Sequence, residues 1–227
     1  MYSFRMMTVR LTLLLLVFPV SSYAQQAEVP AGDWPMYRGN LEGTGFSPLS
    51  QITPDNVANL TEGWSYSLRS DAASQRGPNS QVTPIVIDGV MYLPAADRVI
   101  ALNPITGEEL WRHMVASGAP SRRGVAYWPG DSNTPPRIIF TAGQRLVALD
   151  AATGLVATDF GQAGEIDMVT PYISVPMVYQ DIVIVGANTP RGANGGVGNA
   201  RAFDARTGAK VWEFSSVPQP GSLGHDT

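Results

Sequence analysis

The side chains best suited to chemistry are few in this 227-residue chain. It has two histidines, His113 and His225, far apart in sequence, and no cysteine. A thiolate zinc site, a cysteine nucleophile and a disulfide framework are therefore excluded. The histidines have no partners at metal-ligand spacing, and both are expected at the surface or in a linker. Gly192-Ala-Asn-Gly-Gly-Val-Gly198 lacks the Lys-Ser/Thr of a phosphate loop and precedes a strand, not a helix, so it reads as a hairpin extension. Lys210 is the only lysine among 15 basic residues, the arginines are scattered and the net charge is −4. No basic stripe of the kind that binds nucleic acid is present.

The surrounding elements are legible as a repeat. Ala101-Leu-Asn-Pro-Ile-Thr-Gly107-Glu-Glu-Leu-Trp111, Ala148-Leu-Asp-Ala-Ala-Thr-Gly154 and Ala202-Phe-Asp-Ala-Arg-Thr-Gly208-Ala-Lys-Val-Trp212 share one pattern. Each ends an apolar strand and turns through Asp/Asn-x-x-Thr-Gly, where the polar side chains can bond nearby backbone and glycine accepts a positive φ. Trp111 and Trp212 follow their glycines by four residues and can lie flat on a neighbouring unit, with Trp64 holding the same position in an earlier, decayed repeat. Short strands are predicted at 82–87, 90–93 and 99–102, at 137–141 and 146–149, and at 176–179 and 182–185. Four strands per unit at a period of about 40 to 50 residues predict the blades of an all-β propeller, about four of them with the first incomplete.

Residues 1–24 read as an export signal: Arg5 and Arg10 precede the apolar run Leu11 to Val20, and Ser22-Tyr23-Ala24 forms a small-x-small cleavage site. Cleavage would start the mature chain at Gln25 and leave no transmembrane span in it, consistent with a periplasmic location.

Four stretches resemble the pyrroloquinoline quinone (PQQ)-dependent dehydrogenases, eight-bladed propellers of the bacterial periplasm. They are Asp33 to Gly39 with Gly45 to Leu60 and Trp64, Gln81 to Tyr92, Arg123-Gly-Val-Ala-Tyr-Trp-Pro-Gly-Asp131, and the three turn repeats. The resemblance implies an oxidoreductase acting on a sugar or alcohol and passing electrons to a respiratory quinone or cytochrome. The chain would be the N-terminal half of its ring, at 25–227, with outer blade faces open to neighbours. Arg123 matches the family arginine at the polar edge of PQQ, where a guanidinium fork suits carbonyl or carboxylate groups; a solvated loop arginine is the alternative. Gln81 stands where many members carry Glu beside the cofactor, and an amide can serve the same edge or face water. Ser174 falls in the hydroxyl cluster near the cofactor.

Three departures shape the expectation. Ser117-Gly118 occupy the stretch where alcohol-oxidising members carry vicinal cysteines, which leans the resemblance toward the sugar or polyol branch. A calcium ion is expected with most ligands outside this chain, Asn188 or a backbone carbonyl being the local candidate in place of the usual Glu. The family's catalytic aspartate belongs to later blades, beyond residue 227, so no catalytic residue is assigned. Trp128 either caps the ring mouth or packs against Pro129. The competing reading is a non-catalytic exported propeller that binds proteins through its ring face.

Overall fold

A computed structural model describes residues 29–30, 32–70, 81–187, 198–218 and 220–221. The export signal, Asn188, most of the glycine-rich run and His225 lie outside the described residues. Twelve strands form three four-stranded sheets. The first contains β1 (Ile85–Ile87), β2 (Val90–Pro94), β3 (Arg98–Leu102) and β4 (Glu109–Met114). The second contains β5 (Ala126–Trp128), β6 (Arg137–Ala142), β7 (Arg145–Asp150) and β8 (Glu165–Asp167), and the third β9 (Met177–Tyr179), β10 (Ile182–Val185), β11 (Ala200–Asp204) and β12 (Lys210–Phe214). Each sheet is an antiparallel meander in chain order, the blade unit predicted from the repeat. Among the described residues the only helix is one 3-10 turn, Val57–Asn59.

Burial explains why the middle strands lack polar alternation. β3 is buried at all five positions and β6 at all six: β6 lies between the first and third sheets, and β3 between the second sheet and the segment that carries Trp64, Tyr66 and Leu68. Successive residues of β6 and β7 feed opposite cores: Ile138, Phe140, Val147 and Leu149 pack toward the first sheet, whereas Ile139, Leu146 and Ala148 pack toward the third. Each such fully buried large side chain contributes roughly 1.5–3 kcal/mol. β4 alternates, its Trp111 and His113 half-buried and its Leu110, Arg112 and Met114 exposed. His113 meets Phe140 edge-on, with ring centroids 6.3 Å apart. It is thus a packed side chain between two blades, not the surface residue expected from sequence.

The Asp/Asn-x-x-Thr-Gly turns are built alike. The Asp150 carboxylate accepts the Ala152 and Thr153 amides at 3.1 and 2.9 Å and the Thr153 hydroxyl at 2.8 Å, and the Gly154 amide returns to the Asp150 carbonyl at 2.9 Å. Asp204 repeats this arrangement through Thr207 and Gly208. A tryptophan from the preceding blade lies on two of the turns. Trp64 Nε1 donates to the Pro104 carbonyl and Trp111 Nε1 to the Ala151 carbonyl, both at 3.0 Å. A Cβ at Gly107 or Gly154 would fall 2.5 Å from the indole, so glycine is needed there for room as well as for its φ near +70°. Trp64 is all that the incomplete first unit contributes to this pattern; no strand is assigned among its described residues. Trp212 remains 39% exposed and docks on no blade among the described residues.

Between the second and third blades the device changes. Thr158 stands four residues after Gly154, where the other repeats carry Trp. Arg137 reaches across instead: its guanidinium is 1% exposed, donates to the Ala205 carbonyl at 3.1 Å and also to that of Arg206, and pairs with Asp159 at 2.6 Å. It lies 5.7 Å from the Trp128 ring centroid and 5.8 Å from that of Phe160. Trp128 is fully buried and donates Nε1 to Asp181 at 3.1 Å. It therefore neither caps a mouth nor merely packs on Pro129; it joins blade two to blade three.

Candidate functional site

Gln81, Arg123 and Ser174 each precede the first strand of a different blade, and the fold brings those three lead-in segments together. The Gln81 amide donates to the Arg122 carbonyl at 3.2 Å and the Thr83 amide to the Arg123 carbonyl at 2.9 Å. These amides are spent on the neighbouring blade, which is why β1 begins at Ile85 and not at the predicted Val82. On the other side, Ser121 Oγ donates to the Ile173 carbonyl at 3.0 Å and Thr141 Oγ1 to the Ser174 carbonyl at 3.3 Å. Gly124 lies between: a Cβ there would stand 3.0 Å from the Thr83 carbonyl oxygen and 3.2 Å from Val175 Cγ2. A side chain at position 124 would push the three segments apart.

The side chains at this junction are available for a ligand. Arg122, Arg123 and Gln81 are exposed. Neither guanidinium makes an ion pair or side-chain hydrogen bond among the described residues, whereas Arg98, Arg137, Arg145, Arg201 and Arg206 all have acidic partners. Each arginine thus offers a guanidinium that is unpaired among the described residues of an acidic protein and suited to an anion bearing several oxygens. Next to it opens a cleft of about 330 Å³, whose walls include Leu68, Val82, Pro120, Arg122, Tyr172 and Ile173. Arg122 lines this cleft and Arg123 does not, so the adjacent arginines serve different spaces. Sequence reasoning passed over Ser121 and Thr141, small hydroxyl residues that no local motif distinguishes.

The docking turns lie at the opposite end of the blades. The antiparallel register sets Met91 beside Leu102 and Pro94 beside Val99, which places the β3–β4 turn away from the lead-in of β1. Among the described residues no group of three or more His, Asp or Glu side chains is placed to hold a metal ion, and no helix is long and apolar enough to cross a membrane.

Comparison with known proteins agrees with the fold. Residues 34–227 match the family model described as "PQQ: Glucose/ethanol/alcohol dehydrogenase, beta-propeller domain". The chain is 35% identical over 211 residues to the quinohemoprotein alcohol dehydrogenase of Comamonas testosteroni, covering 86% of this chain and 27% of that protein. It is 31% identical to quinoprotein glucose dehydrogenase A of Acinetobacter calcoaceticus, covering 83% of this chain and 28% of the relative. Among solved structures, the Comamonas testosteroni quinohemoprotein alcohol dehydrogenase superposes with a TM-score of 0.68 at 30% identity, over 84% of this chain and 28% of that one. A europium-containing methanol dehydrogenase gives 0.66 at 27% identity, over 83% and 32% of the two chains. The chain thus spans little more than a quarter of the curated relatives it matches. Its three meander blades, its stapled turns and its matched sequence make it a member of the PQQ-dependent dehydrogenase β-propeller family.

Proposed function

We propose that the full-length protein is a periplasmic PQQ-dependent dehydrogenase that oxidises a sugar or polyol hydroxyl and passes electrons to a respiratory quinone or cytochrome, with this chain as the N-terminal part of its ring. The observation that carries the reading is the exposed Arg123 guanidinium, unpaired among the described residues, at the junction of three blades. The donor set fits the cofactor: a cationic fork, a neutral amide and a hydroxyl suit the carboxylates and carbonyls of a tricarboxylated quinone. When bound, PQQ supplies a two-electron acceptor for the hydride of the substrate.

This chain's residues bind and orient. Arg123 holds a carboxylate or carbonyl edge, Gln81 bonds the same edge from blade one, and Ser174 approaches from blade three. The base that takes the hydroxyl proton is expected on later blades, and calcium is expected to draw its ligands mostly from there. The sugar preference rests on Ser117-Gly118 in the place of vicinal cysteines. A second reading, a less polar alcohol, is favoured by the cleft, where Leu68, Val82, Pro120 and Ile173 offer a polyol few hydrogen-bonding side chains.

Reconstitution of the full-length protein with PQQ and calcium, followed by dye reduction with aldoses and with simple alcohols, separates the two substrates. Arg123→Ala should weaken PQQ binding about tenfold to a hundredfold, the loss of a charge-assisted contact worth roughly 1.5–3 kcal/mol. Unchanged affinity defeats the role of Arg123, and absence of PQQ binding by the parent protein leaves the scaffold reading.

A further inference from the structure

We infer that Ser121 and Thr141 form a hydroxyl clasp that sets the separation between the two sides of the candidate cofactor site, making them positioning residues for Arg123 and Ser174. The inference rests on the reading that those two residues face PQQ.

Both hydroxyl residues belong to blade two and are buried, Ser121 at 3% exposure and Thr141 at 0%. They sit on paired backbone: the Ser121 amide donates to the Thr141 carbonyl at 2.9 Å, and Pro120 bridges to Ala142. From there the two hydroxyls reach out of their own sheet to consecutive carbonyls of the blade-three lead-in, Ile173 and Ser174, at 3.0 and 3.3 Å. Ser121 Oγ works in both directions, since it also accepts the Arg123 amide at 3.3 Å. One oxygen atom therefore links the backbone of the arginine to the residue preceding Ser174. A buried hydroxyl that satisfies donor and acceptor capacity in this way fixes geometry more than it adds net stability.

The third contact makes the spacing demanding. With Gly124 pressed between Thr83 and Val175, the segment carrying Arg123 is closely packed on both flanks. Loss of the clasp on one flank lets blade three shift relative to the arginine, and misplacement of about 1 Å is enough to weaken a preorganised site.

The test measures PQQ affinity of the full-length protein by equilibrium fluorescence titration, alongside the thermal midpoint of the cofactor-free form. Ser121→Ala and Thr141→Val should each raise the PQQ dissociation constant about tenfold, and Thr141→Ser, which keeps the hydroxyl, should restore it. Trp111→Phe provides the structural control: it removes a dock at the opposite end and should lower the midpoint without moving the dissociation constant. The clasp is refuted if Arg123→Ala weakens binding while Ser121→Ala and Thr141→Val bind as the parent does, or if affinity falls with midpoint alike in all variants. A parent protein that does not bind PQQ, or an Arg123→Ala variant that binds normally, overturns the underlying reading and the clasp with it.

Discussion

Arg137 does the work of an indole. In two turns the carbonyl one residue past the Asn or Asp accepts a tryptophan Nε1, at Pro104 and at Ala151; in the third, the corresponding Ala205 carbonyl accepts Arg137. The substitution is chemically uneven, because the Arg137 Nε is buried without a partner, and an unmet buried donor costs about 1–3 kcal/mol. The remaining guanidinium contacts, with the flanking aromatic rings, offset that cost. Arg137→Ala should destabilise the fold by about 3 kcal/mol, measured as a lower urea midpoint, through lost packing and two orphaned carbonyls. Asp159→Asn should cost less than about 1 kcal/mol, because that carboxylate is 67% exposed. Replacement of Asp159 with a loss as large as that of Arg137 would show that the ion pair, not the carbonyl contacts, holds the blades.

At the level of the turn and the strand, the repeat was readable because its hydrogen bonds are local. Asp150 bonds residues two and three positions ahead, so spacing alone identified the turn and the tryptophan that docks on a neighbouring unit. Burial would raise the Asp204 carboxyl, but the Thr207 and Arg206 donors outweigh it and hold it below the usual range. The Arg137 contact was not readable, since it joins positions 68 apart through sheet stacking that no short window contains. Gly154→Ala should be destabilising by about 2 kcal/mol, combining the left-handed backbone with a collision against Trp111; calorimetry should show the same for Gly107→Ala. Strand ends were misjudged where backbone groups serve a neighbouring blade, as at Gln81 and Thr83.

Titration also belongs to the elements. The Asn199 side chain and then Lys210 hold Glu213 down to about 2, Ser70 and Arg98 lower Asp97, and Arg112 and Tyr66 lower Glu109. Carboxylates depressed by folding stabilise it fully above their unfolded values, 3.8 for Asp97 and 4.5 for Glu109 and Glu213, and for Glu213 the contribution drains away as pH falls toward 2. Burial lowers His113 from 6.5, so the unfolded chain takes up its proton first and stability declines as pH drops below that value. Acidification should thus lower the thermal midpoint in two stages, and His113→Gln should flatten only the upper one.

For the whole molecule, two ends with separate duties emerge. One carries the Trp-stapled turns, the other the converging lead-ins and the cleft. The sequence pointed to Gln81, Arg123 and Ser174 by family pattern, and the fold brings their segments together. The hydroxyls joining them were invisible, because Ser121 and Thr141 acquire meaning only when blade three is laid beside blade two. At the outer edge of the third blade, β12 is exposed along its length, with Val211, Trp212 and Phe214 at 53%, 39% and 67%. Such an open strand with apolar side chains invites association. In a protein limited to these residues, Val211→Lys with Phe214→Lys should reduce concentration-dependent light scattering.

The two best-contrasted tryptophans also give the protein a built-in optical gauge. Trp128 is sealed from water with the guanidinium groups of Arg137 and Arg206 against its ring, whereas Trp212 meets solvent directly. Emission from the first should be blue-shifted and shielded from acrylamide until blades two and three part, so fluorescence can follow the opening of that one seam while the other staples stay closed.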